Sequence, residues 1–338
     1  MKTKELIVEN VPEIPGLELR GYQGEEDLPG MLEAWRAAMT ADDIEASDTL
    51  EEITHNYNHL ERCDVYKDLI IAEIDGEIAA YGRTWWDAEP DDTHTYTFFV
   101  NMAPEYRGTG LGSCMAKWLI ERAREVAEDH PEDAPKFLQA WSNDRQPWQN
   151  QLLKKVGMKV IRYGYEMTRP CSEPVEALPL PEGIEVRPIT PDLMRAVFDA
   201  EEEAFRDHWG YIAPTEASYQ SWLDYPLTKP DLWKVAFDGN EVVGMVRNYI
   251  NEKENEEYDR KRGYTENISV RRPWRRQGVA RALLTQSIQM FIKMGMEETC
   301  LGVDVENPNG ALDLYTSVGY ERIHTGYTYR KPLTEVER

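Results

Sequence analysis

The chain has 338 residues, 41% of them hydrophobic, and carries a formal net charge of −24 with an isoelectric point near 4.7. That length and apolar content suffice for two domains, each burying its own core, and exclude a disordered chain. The acid excess leaves no broad face to neutralise phosphates, which excludes nucleic acid as a general partner.

No apolar run reaches the length of a membrane span, and the amino-terminal stretch has no apolar signal core. Cys63, Cys114, Cys171 and Cys300 are scattered without CxxC spacing. The expectation is a cytoplasmic protein with free thiols. An acidic surface is compatible with a cationic substrate such as an amine.

Residues 17–22 and 184–189 alternate as opening strands. Each leads into a helical segment, 28–39 or 191–205, the second with Thr190 as a candidate cap. Met31, Trp35, Met39, Met194, Val197 and Phe205 read as core. Second helices follow at 49–61 and 215–223. Next in each half comes a hairpin: strands 69–74 and 78–84 around Asp75-Gly76, and 232–237 and 242–249 around Asp238-Gly239. Asp-Gly between apolar alternations is a strong hairpin signal. Residues 251–263 read as a charged, flexible connection.

A fourth strand, 95–100 or 264–270, then runs into a proline, a loop and a long helix. Fifth strands are expected at 137–141 and 299–305. Helices ending at Lys155 and Ser317 follow, then matching tails that begin Val156-Gly157-Met158 and Val318-Gly319-Tyr320. Gly157 and Gly319 sit where a helix stops in a left-handed cap. The repeated order implies a tandem duplication of one mixed α/β module. The expected domains are 1–172 and 183–338, joined by a proline- and acid-rich linker at 173–182 with its boundary near Leu178.

The two loops carry the chemistry. Arg275-x-x-Gly278-x-Ala280 follows Pro273, and Arg107-x-x-Gly110-x-Gly112 follows Pro104. The first N–H groups of a helix lack partners, and with the helix dipole they attract an anion. Small residues let the ligand approach the backbone. Arg271, Arg272, Arg275 and Arg276 form a basic island in an acidic chain. A dinucleotide fingerprint starting at Gly108 fits poorly, because its third glycine would fall on Ser113.

Both loops resemble the cofactor loop, Arg/Gln-x-x-Gly-x-Gly/Ala, of the GNAT acetyltransferase superfamily. The stretch from Asn307 to Tyr320 resembles its signature N-x-x-(x)-A-x-x-L-Y-x-x-x-G-F/Y. The resemblance implies two tandem modules, each a central mixed, mostly antiparallel sheet flanked by helices. It also implies acetyl-CoA as cofactor and acetyl transfer to a primary amine by direct attack. It places the coenzyme at Val270, Arg275, Arg276, Gln277, Gly278, Val279, Ala280 and Asn307. The first loop offers Arg107, Gly108, Thr109, Gly110, Leu111 and Gly112 in the same way.

By the same resemblance the N–H near Val270 would donate to the thioester carbonyl, and Tyr315 would protonate the departing coenzyme A sulfur. A phenol with pKa about 10 keeps its proton at pH 7. Leu153 stands at that place in the first half. Glu266, nine residues before Arg275, is the candidate base, and Phe98 has the same offset from Arg107. Asp304 and Glu306 are alternative bases or amine-orienting groups. His208 and Trp209 fall in the region that lines the acceptor site of many GNAT enzymes; Trp85 and Trp86 read as packing. His55 and His59 lack a third ligand, so no metal site is expected.

One complete and one eroded module is an arrangement similar to that of mycothiol synthases, although nothing in the sequence reads that group's acceptor. The expectation is therefore an N-acetyltransferase whose second module is catalytic. Its acceptor would be a small-molecule amine, without nucleic acid or membrane, on a monomer or homodimer. The rivals are a non-catalytic coenzyme A-binding or regulatory protein and an acetyltransferase of peptide or protein amines.

Overall fold

The computed structural model describes residues 6–45 and 47–334. It divides into two compact α/β units, Met1–Arg162 with Gly326–Arg338 and Tyr163–Thr325. Unit 1 contains, in chain order, β1 (Leu17–Arg20), α1 (Leu28–Ala41), α2 (Leu50–Asn58), α3 (Val65–Asp68), β2 (Leu69–Ile74), β3 (Glu77–Ala88), β4 (His94–Met102), α4 (Leu111–Ala127), β5 (Lys136–Asn143), α5 (Pro147–Lys155) and the start of β6 (Lys159–Pro170). Its sheet runs β1-β2-β3-β4-β5, and residues 326–332 add an antiparallel strand beside β5. β4 and β5 are parallel; the other neighbours are antiparallel.

Local chemistry accounts for these elements. The two-residue β2–β3 turn needs left-handed backbone, supplied by Asp75 (φ 52°) and Gly76 (φ 90°). A reciprocal box between Thr49 and Glu52 starts α2. Leu111, Met115, Leu119 and Ala123 recur along α4 and pack on Ile70, Phe98 and Val100. On the opposite side of the sheet, Leu28, Met31 and Leu32 of α1 meet Leu69, Ile71 and Tyr81. Truncating any one of these large buried side chains to alanine should cost about 2–5 kcal/mol.

Unit 2 repeats the plan with β7 (Ile184–Arg187), α6 (Met194–Phe205), α7 (Glu216–Asp224), β8 (Lys234–Asp238), β9 (Glu241–Tyr249), α8 (Glu252–Glu257), β10 (Arg262–Val270), α9 (Val279–Lys293), β11 (Glu298–Asp304), α10 (Ala311–Ser317) and the start of β12 (Glu321–Pro332). Its sheet order is β6-β11-β10-β9-β8-β7. α9 buries Leu283, Leu284, Ile288 and Phe291 on one face. α6 packs Met194, Val197 and Ala200 against Val235, Phe237 and Met245 on the other.

Three expectations need correction. The compact units do not divide at 172. Gly164–Pro170 pairs with β11, while residues 326–332 pair with β5, so the closing strand of each duplicated segment is counted in the other unit. Sequence similarity marks the copies but not the strand that each copy pairs with. Residues 173–182, read as a linker, are also tied to α9. The Leu178 N–H donates to Thr285 Oγ1 (3.1 Å), Gln286 donates to Leu178 O, and Leu180 packs beside Val279 and Leu283.

Thr190 makes no side-chain cap; a 3-10 turn, Pro191–Leu193, intervenes before α6. The connection at 251–263 contains α8, whose first turn is capped by Asn251 accepting from the Glu254 N–H. Among the described residues no helix is long and apolar enough to cross a membrane, and no group of His, Cys, Asp and Glu is placed to hold a metal ion.

Candidate active site

In unit 2 the parallel strands β10 and β11 pair over residues 262–264 and 298–300. Beyond that point the ladder changes. A bulge between Glu266 and Ser269 interrupts the β9–β10 register, with Asn267 in left-handed backbone (φ 49°). The Gly302 N–H donates to Glu266 Oε1 at 3.1 Å. A side-chain carboxylate thus takes the place of a ladder carbonyl. The opening holds a cleft of about 460 Å³.

The cleft brings together Glu266, Val270, Asp304, Asn307 and Tyr315 with the loop residues Arg275, Arg276, Gly278, Val279 and Ala280. His208 also lines it, its ring edge-on to Phe205 with centroids 4.5 Å apart. Two expected residues do not line it. Gln277 is exposed and donates back to Pro273 O at 2.9 Å, and Trp209 lies outside with 37% of its surface exposed.

Arg275 ties the loop down. Its guanidinium donates to Val270 O (2.9 Å), Ala204 O (2.9 Å) and Asp207 Oδ2 (2.6 Å). Hydrogen bonds from Arg272 and Arg275 hold the Asp207 carboxyl well below the usual carboxylate range. Asp207 is a site residue that the sequence reading passed over. The available signal was an acid just past the first helix in both halves, since Asp42 serves Arg107 in the same way.

Arg276 is exposed and left-handed (φ 62°), and it has no partner among the described residues. Gly278 (φ 91°) begins α9, and a methyl group placed on it would meet nothing within 4 Å. These features leave the first turn of α9 open to an anion.

Glu266 and Tyr315 are the titratable groups at the inner end. Burial pushes the Glu266 carboxyl up to about 7; the Gly302 N–H and Arg247 pull it down, and Glu166 adds to the rise. Tyr315 is 6% exposed, packs edge-on against Tyr320, and has no hydrogen-bond partner among the described residues. Burial, with Glu266 nearby, pushes its phenol up, so it stays protonated. The Asp304 carboxylate accepts from the Glu306 N–H at 3.1 Å. Asn307 accepts from the Asn309 N–H at 2.8 Å, shaping the turn into α10.

Unit 1 keeps the loop and loses the opening. Arg107 makes a bidentate pair with Asp42 (2.6 and 2.9 Å) and donates to Ala38 O (3.1 Å). Thr109 Oγ1 donates to Tyr106 O. Gly110 (φ 97°) begins α4, and Gly108 is also left-handed (φ 84°). Leu111 is fully buried. Trp148 then closes over this turn. A methyl group on Gly112 would come within 2.6 Å of its ring, which also lies under the Arg107 guanidinium at 5.3 Å.

Counting back from the matched Val156-Gly157 and Val318-Gly319 turns, Trp148 occupies the place of Gly310. A methyl group on Gly310 would meet nothing within 4 Å. Leu153, at the place of Tyr315, is fully buried.

The β3–β4 register runs unbroken from Ala80 to Ala88. With no bulge there, the residue equivalent to Glu266 is Phe99 rather than Phe98. Phe99 stands opposite Arg83 as Glu266 stands opposite Arg247. Phe98 points to the other side, into the α4 core. A one-residue insertion moves side chains to the opposite face, which a count along the sequence does not register.

The chain matches the profile of the Acetyltransferase (GNAT) family over residues 29–130 and 194–320. It belongs to that family, and it is a GNAT acetyltransferase with tandem modules. It is 26% identical over 255 residues to a mycothiol acetyltransferase of Kocuria rhizophila, a match that covers 72% of this chain and 78% of that one. A crystal structure of a GCN5-related N-acetyltransferase from Sphaerobacter thermophilus superposes with a TM-score of 0.71 at 25% identity, over 97% and 98% of the two chains. A tandem GNAT protein from the clavulanic acid biosynthesis pathway shares the fold, with a TM-score of 0.65 at 14% identity over 95% of this chain and 100% of that one.

Proposed function

We propose that unit 2 carries the catalysis, moving an acetyl group from acetyl-CoA to a small primary amine, and that unit 1 does not. The observation behind this reading is the meeting of Glu266, Tyr315 and the open first turn of α9 in one cleft. The residues fit the coenzyme. The α9 amides, the unpaired Arg276 and the uncovered Gly278 and Gly310 suit a pyrophosphate and its chain. When bound, the thioester supplies an activated acetyl group with a thiolate leaving group.

The chain's own groups supply the rest. An alkyl amine with pKa about 10.4 must lose a proton before it attacks. Glu266, poised near neutrality, is the acceptor for that proton. The backbone N–H near Val270 would donate to the carbonyl oxygen as negative charge grows on it. Tyr315, with a phenol that keeps its proton and has no internal partner, gives that proton to the sulfur. Asp304 and His208 line the same cleft and would orient a cationic amine.

The test is coenzyme A thiol release from acetyl-CoA across a panel of small amines and peptides, with the acceptor of mycothiol acetyltransferases among them. Acceptor-dependent release that falls at least tenfold in Tyr315→Phe supports the reading. Release that Tyr315→Phe and Glu266→Gln both leave intact overturns it. Acetyl-CoA binding without release to any acceptor favours a binding protein.

A further inference from the structure

Behind Glu266 lies a buried charge pair that the chemistry above does not use. Glu201 on α6 is 4% exposed. Its Oε2 is 3.1 Å from Nε of Arg247 on β9, and neither atom has a well-directed hydrogen bond, so the contact is a pairing of charges. Arg247 lies over the neighbouring rings of Trp222 and Trp233, 5.3 and 5.6 Å from their centroids, and stands directly across the strand pair from Glu266. Burial pushes the Glu201 carboxyl up, while Arg247 and, more weakly, the Asn267 and Trp222 side chains favour its charged form. Asn267 is the left-handed bulge residue next to Glu266. One buried carboxyl group therefore contacts the cation that faces Glu266 and interacts with the residue that aims it.

Unit 1 provides the control. Arg83 occupies the position of Arg247, over Tyr57, Trp85 and Phe99. Ala38 and Ala204 accept from the two loop arginines. Counting three residues back from each reaches Trp35 in unit 1 and Glu201 in unit 2. Among the described residues Arg83 has no carboxylate partner, and its Nε and Nη1 are buried without a hydrogen-bond partner. The fold thus tolerates this arginine on aromatic rings alone. A buried ion pair is weak evidence for stability. The acid is present where a carboxylate faces the arginine and absent where Phe99 does.

We infer that Glu201 is a positioning residue for the reaction: by neutralising Arg247 and holding Asn267, it keeps that cation from pairing with Glu266 and fixes the turn from which Glu266 projects. The role rests on Glu266 being the base. Other charged or titratable groups around Glu266 are Glu166 on β6, Tyr249 on β9, Cys300 and Asp304 on β11, and Tyr315 on α10. None of them pairs with Arg247 among the described residues. With Glu201 neutralised, Glu202 would be the remaining carboxylate of α6 acting on Arg247, and the cation facing Glu266 would stabilise the Glu266 carboxylate more strongly.

The test is a ¹³C NMR titration of the full chain labelled with [¹³C]glutamate, the Glu266 signal being assigned by its loss in Glu266→Gln. The Glu266 midpoint should fall by about one pH unit in Glu201→Gln, a tenfold change in proton affinity. It should return close to the wild-type value in the neutral pair Glu201→Gln/Arg247→Met. Glu201→Asp, which keeps the charge but retracts it, should give a smaller shift in the same direction and serves if Glu201→Gln does not fold. An unmoved midpoint in a folded variant, alongside an inactive Glu266→Gln, overturns the role of Glu201 alone. Full activity in Glu266→Gln overturns the base and this role together.

Discussion

The two units begin from the same loop and diverge at four places. Both clamp an arginine, Arg107 or Arg275, to an aspartate beyond the first helix, and both open a long helix on a left-handed glycine. Unit 2 adds a bulge in its fourth strand, a carboxylate at Glu266, a phenol at Tyr315 and a bare backbone at Gly310. Unit 1 has an unbroken ladder, Phe99, Leu153 and Trp148 at these places. The arginine–glycine loop is therefore a structural element that both units share, whatever lies beside it. What separates the units is the space beside the loop and the two titratable groups, Glu266 and Tyr315, that line it.

The harshest way to break the contrast is to give unit 2 the plug of unit 1. Gly310→Trp places an indole in the cleft and also forces a bulky residue into left-handed backbone (φ 73°). Acetyl-CoA binding, followed by calorimetry, should fall by more than about a hundredfold, the loss expected when a close-approach surface is filled. Retained binding would show that the ligand does not use this channel.

Glu266 comes next. If it accepts the amine's proton, kcat/KM should rise with pH through an acidic limb near 7, and Glu266→Gln should remove that limb. The same shift bears on stability. The folded value lies above the unfolded one, so between about 4.5 and 7 the native state binds more protons, and stability falls as pH rises through that window. Glu266→Gln should therefore be more stable than wild type at pH 8, by about 1–3 kcal/mol, with the advantage gone at pH 4. Urea melts at the two pH values read this directly; an equal difference at both would refute the shift.

Much of this was legible in the sequence because it is local. Asp75-Gly76, the two loops and the Asn307 to Tyr320 signature are set by neighbouring residues, and the structure places them as expected. What was hidden depends on partners far along the chain. The bulge that turns Glu266 into the cleft is a single extra residue, visible only as a register shift against β9. The closing strands pair outside their own repeat. The loop arginine reads as a ligand for an anion, yet Asp207, Ala204 and Val270 use its guanidinium. Nothing in the sequence around Trp148 marks its contact with Gly112.

The mildest pair of changes tests whether the shared clamp matters equally in the two units. Asp207→Asn removes the charge that Arg275 and Arg272 share, and should let the loop move without touching Glu266 or Tyr315. The expected effect is a several-fold rise in KM for acetyl-CoA with little change in kcat, the signature of lost binding that is equal in ground and transition states. Asp42→Asn removes the mirror pair, which is more deeply buried, with the aspartate side chain 5% exposed. Breaking a largely buried pair leaves Arg107 uncompensated and should cost about 1–3 kcal/mol of stability. Steady-state kinetics of the folded protein should nevertheless stay at wild-type values, because Trp148 already fills the space that this clamp borders. A KM that rises with Asp42→Asn as it does with Asp207→Asn would mean that unit 1 takes part in binding the acetyl donor after all, and the division of labour between the units would have to be redrawn.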